Sequence, residues 1–161
     1  MTAKTSPIPE GFHSITPDLI VRDAADAIDF YKRAFCAVER YRMQSPDGKS
    51  IVHAELVIGN SVMFLCDESA TCNTKSPETL KGTTSSLHLY VEDVDAVFAR
   101  AVQEGATVAM PLENMFWGDR FGAILDPFGH RWSLATHVED LSSEEIERRG
   151  AEFMAAQAVT A

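Results

Sequence analysis

Laid over itself at an offset of 70 positions, the chain matches Val21 with Val91, Asp23 with Asp93, Gly48 with Gly118 and Gly59 with Gly129. All four pairs fall at turns or at the ends of expected elements, where backbone geometry restricts residue choice most. Strand and helix patterns recur at the same offset, so the repeat is one of structure as well as of letters. A chain with this period is built from two small copies of one plan, and 161 residues leave no room for a third of that length.

Each copy reads βαβββ. After a Pro-punctuated lead-in over 1–13, the run SITPDLIV alternates as a strand with Ile15, Leu19 and Val21 on one face. Asp23 stands where a helix cap belongs, and Ala24, Ile28, Tyr31 and Phe35 recur at helical spacing. Strand-like runs at 38–44, 50–58 and 61–66 are separated by Pro46-Asp47-Gly48 and Gly59-Asn60, both hairpin signals. The first module therefore covers 14–66. Residues 67–84, rich in Ser, Thr, Asn, Lys and Glu with Pro77 and Gly82, have the composition of a linker.

The second module, 85–137, restarts with the strand SSLHLYV and a helix capped by Asp93. Its apolar stripe is Val94, Val97, Phe98, Ala101 and Val102, and Gly105 sits where a left-handed C-cap belongs. Strands follow near 107–112, 119–125 and 130–136, with Asp126-Pro127-Phe128-Gly129 as a tight turn. In the tail, 138–161, Ser142 opens a terminal helix. The expected class is α+β.

Charge and cysteine content exclude several kinds of partner. Fourteen Lys and Arg against 24 Asp and Glu give a formal net charge of −10, which repels nucleic-acid backbones and anionic lipid. Cys36, Cys66 and Cys72 are odd in number and form no CxxC, so reduced thiols in the cytoplasm are expected rather than a disulfide framework or zinc knuckle. No apolar run of membrane-spanning length and no signal-like leader is present, so neither membrane nor export is expected.

Five stretches carry a family resemblance: DAADAIDFYKRAF at 23–35, HAEL at 53–56, LHLYVEDVDAVFARA at 87–101, FWGDRFG at 116–122 and DPFGHRWSLATH at 126–137. Over residues 14–137 the sequence resembles the vicinal oxygen chelate superfamily, which includes glyoxalase I, fosfomycin- and bleomycin-resistance proteins and extradiol dioxygenases, and within it the PhnB-like branch. The resemblance implies paired βαβββ modules curling into a half-open barrel, usually in a homodimer. It also implies Gly after the first helix, where this chain has Cys36.

Metal-using members of that superfamily place one ligand near the start of each module's first strand and one in its last. Counted from the Val-x-Asp steps and from Gly59 and Gly129, those positions here are Thr16, Met63, Ser86 and Ser133. Hydroxyls and a thioether are poor ligands for the divalent ions concerned, so no metal at the usual positions and no other cofactor is expected. The alternative is a displaced divalent site built from His53, Glu55 and His88.

Strand alternation then assigns the faces. The wholly apolar side of each strand should lie on its helix: Val52, Ala54, Leu56 and Ile58 in one strand, Leu87, Leu89 and Val91 in another. His53, Glu55, Ser86, His88 and Tyr90 are left for the concave side, with Thr16, Asp18, Arg131 and Ser133 by the same reasoning. Beside Tyr90, Trp117 and Phe121 these groups suit a polar ligand with a flat or apolar part. His53, Glu55 and Arg131 read equally well as an ion-pair network across the sheet. The expected function is a cytoplasmic homodimer that binds a small organic molecule without metal, as bleomycin-resistance proteins sequester drugs. One alternative is a lyase or isomerase using the displaced metal, or Glu55 and His88 as acid and base. Another is a non-catalytic structural or regulatory dimer.

Overall fold

The computed structural model describes residues 5–160; the first four residues of the lead-in and the last of the tail lie outside it. The βαβββ order occurs twice. β1 (Asp18–Val21), α1 (Ala24–Phe35), β2 (Val38–Gln44), β3 (Ile51–Ile58) and β4 (Ser61–Asp67) form one set. A short helix α2 (Pro77–Leu80) follows. β5 (Ser86–Tyr90), α3 (Val94–Gln103), β6 (Thr107–Asn114), β7 (Asp119–Leu125) and β8 (Arg131–His137) form the other, and α4 (Ser143–Thr160) ends the chain. The strand orders β1-β4-β3-β2 and β5-β8-β7-β6 are the same, with the first strand parallel to the last and the other pairs antiparallel. Each sheet is open, and neither closes on itself as a barrel.

Two compact units result. The first runs to Thr84 and takes in Pro127–His130; the second consists of Ser85–Asp126 and the chain from Arg131 onward. In the first, α1 buries Ala24, Ile28, Tyr31 and Phe35 as its spacing predicts, against β3 and β4, whose Ala54, Leu56 and Leu65 are fully buried. Phe128, from the β7–β8 turn, packs in the same core, 6.1 Å ring to ring from Phe30. In the second, α3 buries Val94, Phe98 and Ala101, but Val97 is only half covered and Val102 is exposed, so the expected stripe is narrower by two residues.

Asp23 does not cap α1 with its side chain. Asp67, at the end of β4, does more: its Oδ1 accepts the Ala24 N–H at 2.8 Å and its Oδ2 the Ile51 N–H at 2.7 Å. One carboxylate thus ties the helix start to β3. The second unit uses a hydroxyl at the matching place, where Thr136 Oγ1 accepts from the Val94 N–H at 2.9 Å and donates to the Val91 carbonyl at 2.8 Å. There Asp93 does cap α3, accepting from the Ala96 N–H.

Three further expectations change. Ile15 is 86% exposed, because the first strand begins only at Asp18, after Pro17. Val52 is 45% exposed because pairing slips from Met43↔His53 to Gln44↔Ile51. This bulge turns Val52 outward and puts Ile51 in the core. Finally, Met63 is buried opposite Leu56 on the helix side of its sheet. Asp18 pairs with Phe64, whereas its counterpart His88 pairs with Ser133. The repeat offset, 70 in the first strands, is therefore 69 in the last, and Phe64 rather than Met63 is the structural partner of Ser133. A Gly-to-Gly count misses this because the two last hairpins differ in length.

The stretch between the modules is less loose than its composition suggests. Ser76 caps α2 with Pro77 as its first residue, and Ser69 bridges to Thr74. Glu68 accepts hydrogen bonds from the Ser76 N–H, from both the Ser76 and Thr79 hydroxyls, and lies 3.5 Å from Arg22. These bonds, the Ser76 N–H first among them, bring the Glu68 carboxyl down to about 2.

Candidate functional site

The helix side of each sheet is filled by the core, so chemistry is available on the opposite, open face. In the second unit that face reads in rows across the strands. Ser86, Arg131 and Leu125 make the first row; His88, Ser133 and Ala123 the second; Tyr90, Ala135 and Phe121 the third. Asp119 and His137 close it. Period-two alternation along β5, β7 and β8 places them together, while buried Leu134 and Ile124, with half-buried Leu89 paired to Leu134, take the core side.

An aromatic floor occupies the third row and the loop before β7. His88 stacks at 26° on Phe121 with 5.9 Å between ring centres, and lies 4.5 Å from Tyr90. Trp117 meets Phe121 edge to face at 5.5 Å. Gly118, at φ +96°, lets the loop fold back so that Val138 and Glu139 both donate to its carbonyl. On the far side of that loop, Phe116 packs on Phe153 of α4 at 5.4 Å, which holds the loop from behind.

Asp119 is the hub. It is 3% exposed, and its Oδ2 accepts from the Tyr90 hydroxyl at 3.0 Å and from the Trp117 indole N–H at 2.9 Å. Its Oδ1 takes the His137 Nδ1 at 2.8 Å, and the other ring nitrogen of His137 reaches Asp140 at 3.0 Å. Burial alone would push the Asp119 carboxyl up, but the hydrogen bonds from His137, Tyr90 and Trp117 together outweigh it and leave it below the usual range. Both partners respond: the bond to Asp119, followed by that to Asp140, holds His137 above its ordinary value, and the same carboxylate raises the Tyr90 phenol. Asp119 is therefore ionised at neutral pH and Tyr90 a neutral donor.

Asp119 and His137 are functional-face residues that sequence reasoning passed over. The signal was available: Asp119 lies two residues before Phe121 and His137 four after Ser133, each in phase with a residue already assigned to the open side. They were hidden because a strand end reads as a turn.

The first unit places its expected residues differently. His53 and Glu55 share the open face, 3.7 Å apart, with Phe64 at 4.8 Å and Tyr41 at 6.3 Å from the imidazole ring. Phe12 of the lead-in lies against Phe64, and the Arg40 guanidinium sits 5.2 Å over the Phe12 ring. Asp18 starts β1 and is exposed; Thr16 precedes the strand and is half-buried. His88 belongs to the second unit, His53 and Glu55 to the first. Among the described residues no group of three or more His, Cys, Asp or Glu could hold a metal ion.

A family model matches this arrangement over residues 11–134, that of the glyoxalase/bleomycin resistance protein/dioxygenase superfamily. The chain belongs to that superfamily. An uncharacterised protein of Mycobacterium tuberculosis is 50% identical over 137 residues, covering 83% of this chain and 80% of its own. Among solved structures, TioX from Micromonospora aligns with a TM-score of 0.62 at 26% identity, over 78% of this chain and 99% of its own. The PhnB protein of Bacillus cereus aligns with a TM-score of 0.60 at 21% identity, over 77% and 99%. A PhnB-like fold is thus among the neighbours.

The pairs Asp18–Phe64 and His88–Ser133 move one of the four places that the resemblance implies for a divalent ion, so that these become Thr16, Phe64, Ser86 and Ser133. A phenyl ring and three hydroxyls do not fit a divalent ion. Ser86 and Ser133 instead meet each other, oxygen to oxygen, at 3.3 Å.

Proposed function

We propose that the protein binds a small organic molecule with a flat body on the open face of its second sheet, and does so without a divalent ion. The observation that supports this most is Tyr90. The residue is 60% exposed while its hydroxyl is pinned to a buried carboxylate. An aromatic wall held in one orientation in solvent is prepared for a partner, because the cost of ordering it has been met in advance. His88, Phe121 and Trp117 extend that surface.

The reading is a sequestering one, set in the cytoplasm and in a homodimer. Three unpaired thiols suit a reducing compartment, and exposed Val38, Tyr41 and Met43 along β2 give a second copy an apolar edge to cover. No helix among the described residues is long and apolar enough to cross a membrane. In the rival reading, a lyase or isomerase, Glu55 and His88 carry protons; the approach of His53 to Glu55 favours a structural part for that carboxylate instead.

Trp117 supplies the test, since it is the indole on the open face while Trp132 is buried on the other. Titration with 2-naphthamide and related flat amides should give a saturable change in indole fluorescence that is lost in Trp117→Phe and weakened about tenfold or more in Tyr90→Ala. Manganese, nickel or zinc should leave the affinity unchanged, and methylglyoxal hemithioacetal should not turn over. No saturable response across a diverse set of flat compounds, together with turnover of the hemithioacetal, would replace this reading with the enzymatic one.

A further inference from the structure

One corner of the open face of the second sheet carries a guanidinium and two hydroxyls. Ser86 and Arg131 are direct partners in the parallel ladder, and Ser133 is one pleat further along β8. All three lie on the open face, because Trp132 between them is buried in the core. The two serine hydroxyls touch at 3.3 Å; one donates to the other, which leaves a second hydroxyl proton for an outside acceptor. Arg131 is exposed and, among the described residues, its guanidinium has no hydrogen-bond or ion-pair partner.

That is unusual in a chain of net charge −10, where other arginines are matched: Arg42 with Glu39, Arg120 with Asp95, Arg148 and Arg149 with Glu145. The rows that contain Arg131 and Ser133 are completed by Leu125, Thr107, Ala123 and Met110, with no carboxylate on either. A planar guanidinium beside two hydroxyls matches the donor needs of a carboxylate, sulfonate or phosphonate and repels a metal ion.

We propose that this corner binds the acidic group of the ligand, so that the molecule taken by the protein is an aromatic acid. The inference rests on the flat-ligand reading above and names its chemical class. The acid would meet Ser86, Ser133 and Arg131. From the Ser86–Arg131 row, His88 is one pleat along the strand, roughly 6.6 Å, and Tyr90 and Phe121 are two, roughly 13 Å, so the attached ring would lie on His88 and reach toward Tyr90 and Phe121. A one- or two-ring acid spans the shorter of these distances.

Three isosteric probes separate the two proposals: 2-naphthoate, 2-naphthamide and 2-naphthylmethylammonium, titrated against the full chain by indole fluorescence and by calorimetry. Naphthoate should bind at least tenfold more tightly than the amide, and the ammonium more weakly than either. Arg131→Gln should erase the preference for the acid while leaving amide affinity within twofold, and Ser133→Ala should reduce the preference severalfold. Both side chains are away from the core, and an unchanged melting temperature of each variant shows that the fold is kept. Equal binding of acid and amide overturns the acid corner and leaves the flat-ligand reading standing. A preference for the acid that survives Arg131→Gln also overturns it. Failure of all three probes to bind sinks both.

Discussion

Asp119 shows how one side chain organises a face. Its carboxylate is buried, yet every oxygen is used, and the three donors it orients are the phenol, indole and imidazole that define the surface. Asp119→Ala should cost about 2–4 kcal/mol in chemical denaturation, since it strands two neutral donors and removes a charge-assisted bond. The pH dependence has a definite sign. His137 is raised above 6.5, so its contribution is complete below that value and is lost as pH climbs through the folded-state titration. Asp119 is lowered from 3.8, so its contribution is complete above that and is lost as pH falls through the folded-state value. The network therefore stabilises most between about pH 4 and 6.5. Titration of the His137 ring by NMR should show its midpoint fall in Asp119→Asn; an unmoved midpoint would mean Asp140 alone sets it. Close packing matters on the other side of the same strand. A Cβ at Gly122 would stand 2.8 Å from Phe98 Cε2 and 3.1 Å from Leu112 Cδ2, so Gly122→Ala should lose about 1–3 kcal/mol.

Elements here are joined by single polar residues at their ends. α1 depends on Asp67 for its first N–H and β3 for its first strand bond, so Asp67→Ala should destabilise the first unit by roughly 1–3 kcal/mol, read as a fall in denaturation midpoint. Asp67→Asn, which can accept through one oxygen only, should recover part of that loss. The other end of α1 is strained: Cys36 holds a left-handed conformation at φ +55°. Cys36→Gly should gain about 0.5–1 kcal/mol, the relief of the Cβ clash less the added freedom of the unfolded chain. A loss on this substitution would show that the cysteine side chain makes a contact worth more than the backbone penalty. The two helices thus solve one capping problem differently, α1 with the carboxylate of Asp67 and α3 with the hydroxyl of Thr136 together with its own Asp93.

Across the chain, acidic excess is the dominant long-range term. The ion pairs are mostly at the surface, where each contributes little, while a net charge of −10 is repelled by itself in the folded state. Raising salt from about 10 to 150 mM at neutral pH should therefore raise the melting temperature in calorimetry, as the Debye length shrinks to about 8 Å. A fall would mean that the Arg148 and Arg149 network on α4 outweighs the general repulsion.

The linear order of residues was enough for the βαβββ repeat, the strand and helix types, most turn positions and the superfamily, because period, turn chemistry and capping are local properties read within a few residues. It was enough, too, to place Ser86, His88, Tyr90, Phe121, Arg131 and Ser133 on one side of their strands. Folding in three dimensions decided what local pattern cannot carry. The bulge at Val52, the exchange of Met63 for Phe64 and the drift of the repeat from 70 to 69 all arise from pairing with a neighbouring strand, where one extra residue reverses every face beyond it. The same holds for Asp119, whose importance comes from a phenol 29 positions upstream and an imidazole 18 positions downstream, distances in sequence over which no periodic signal survives.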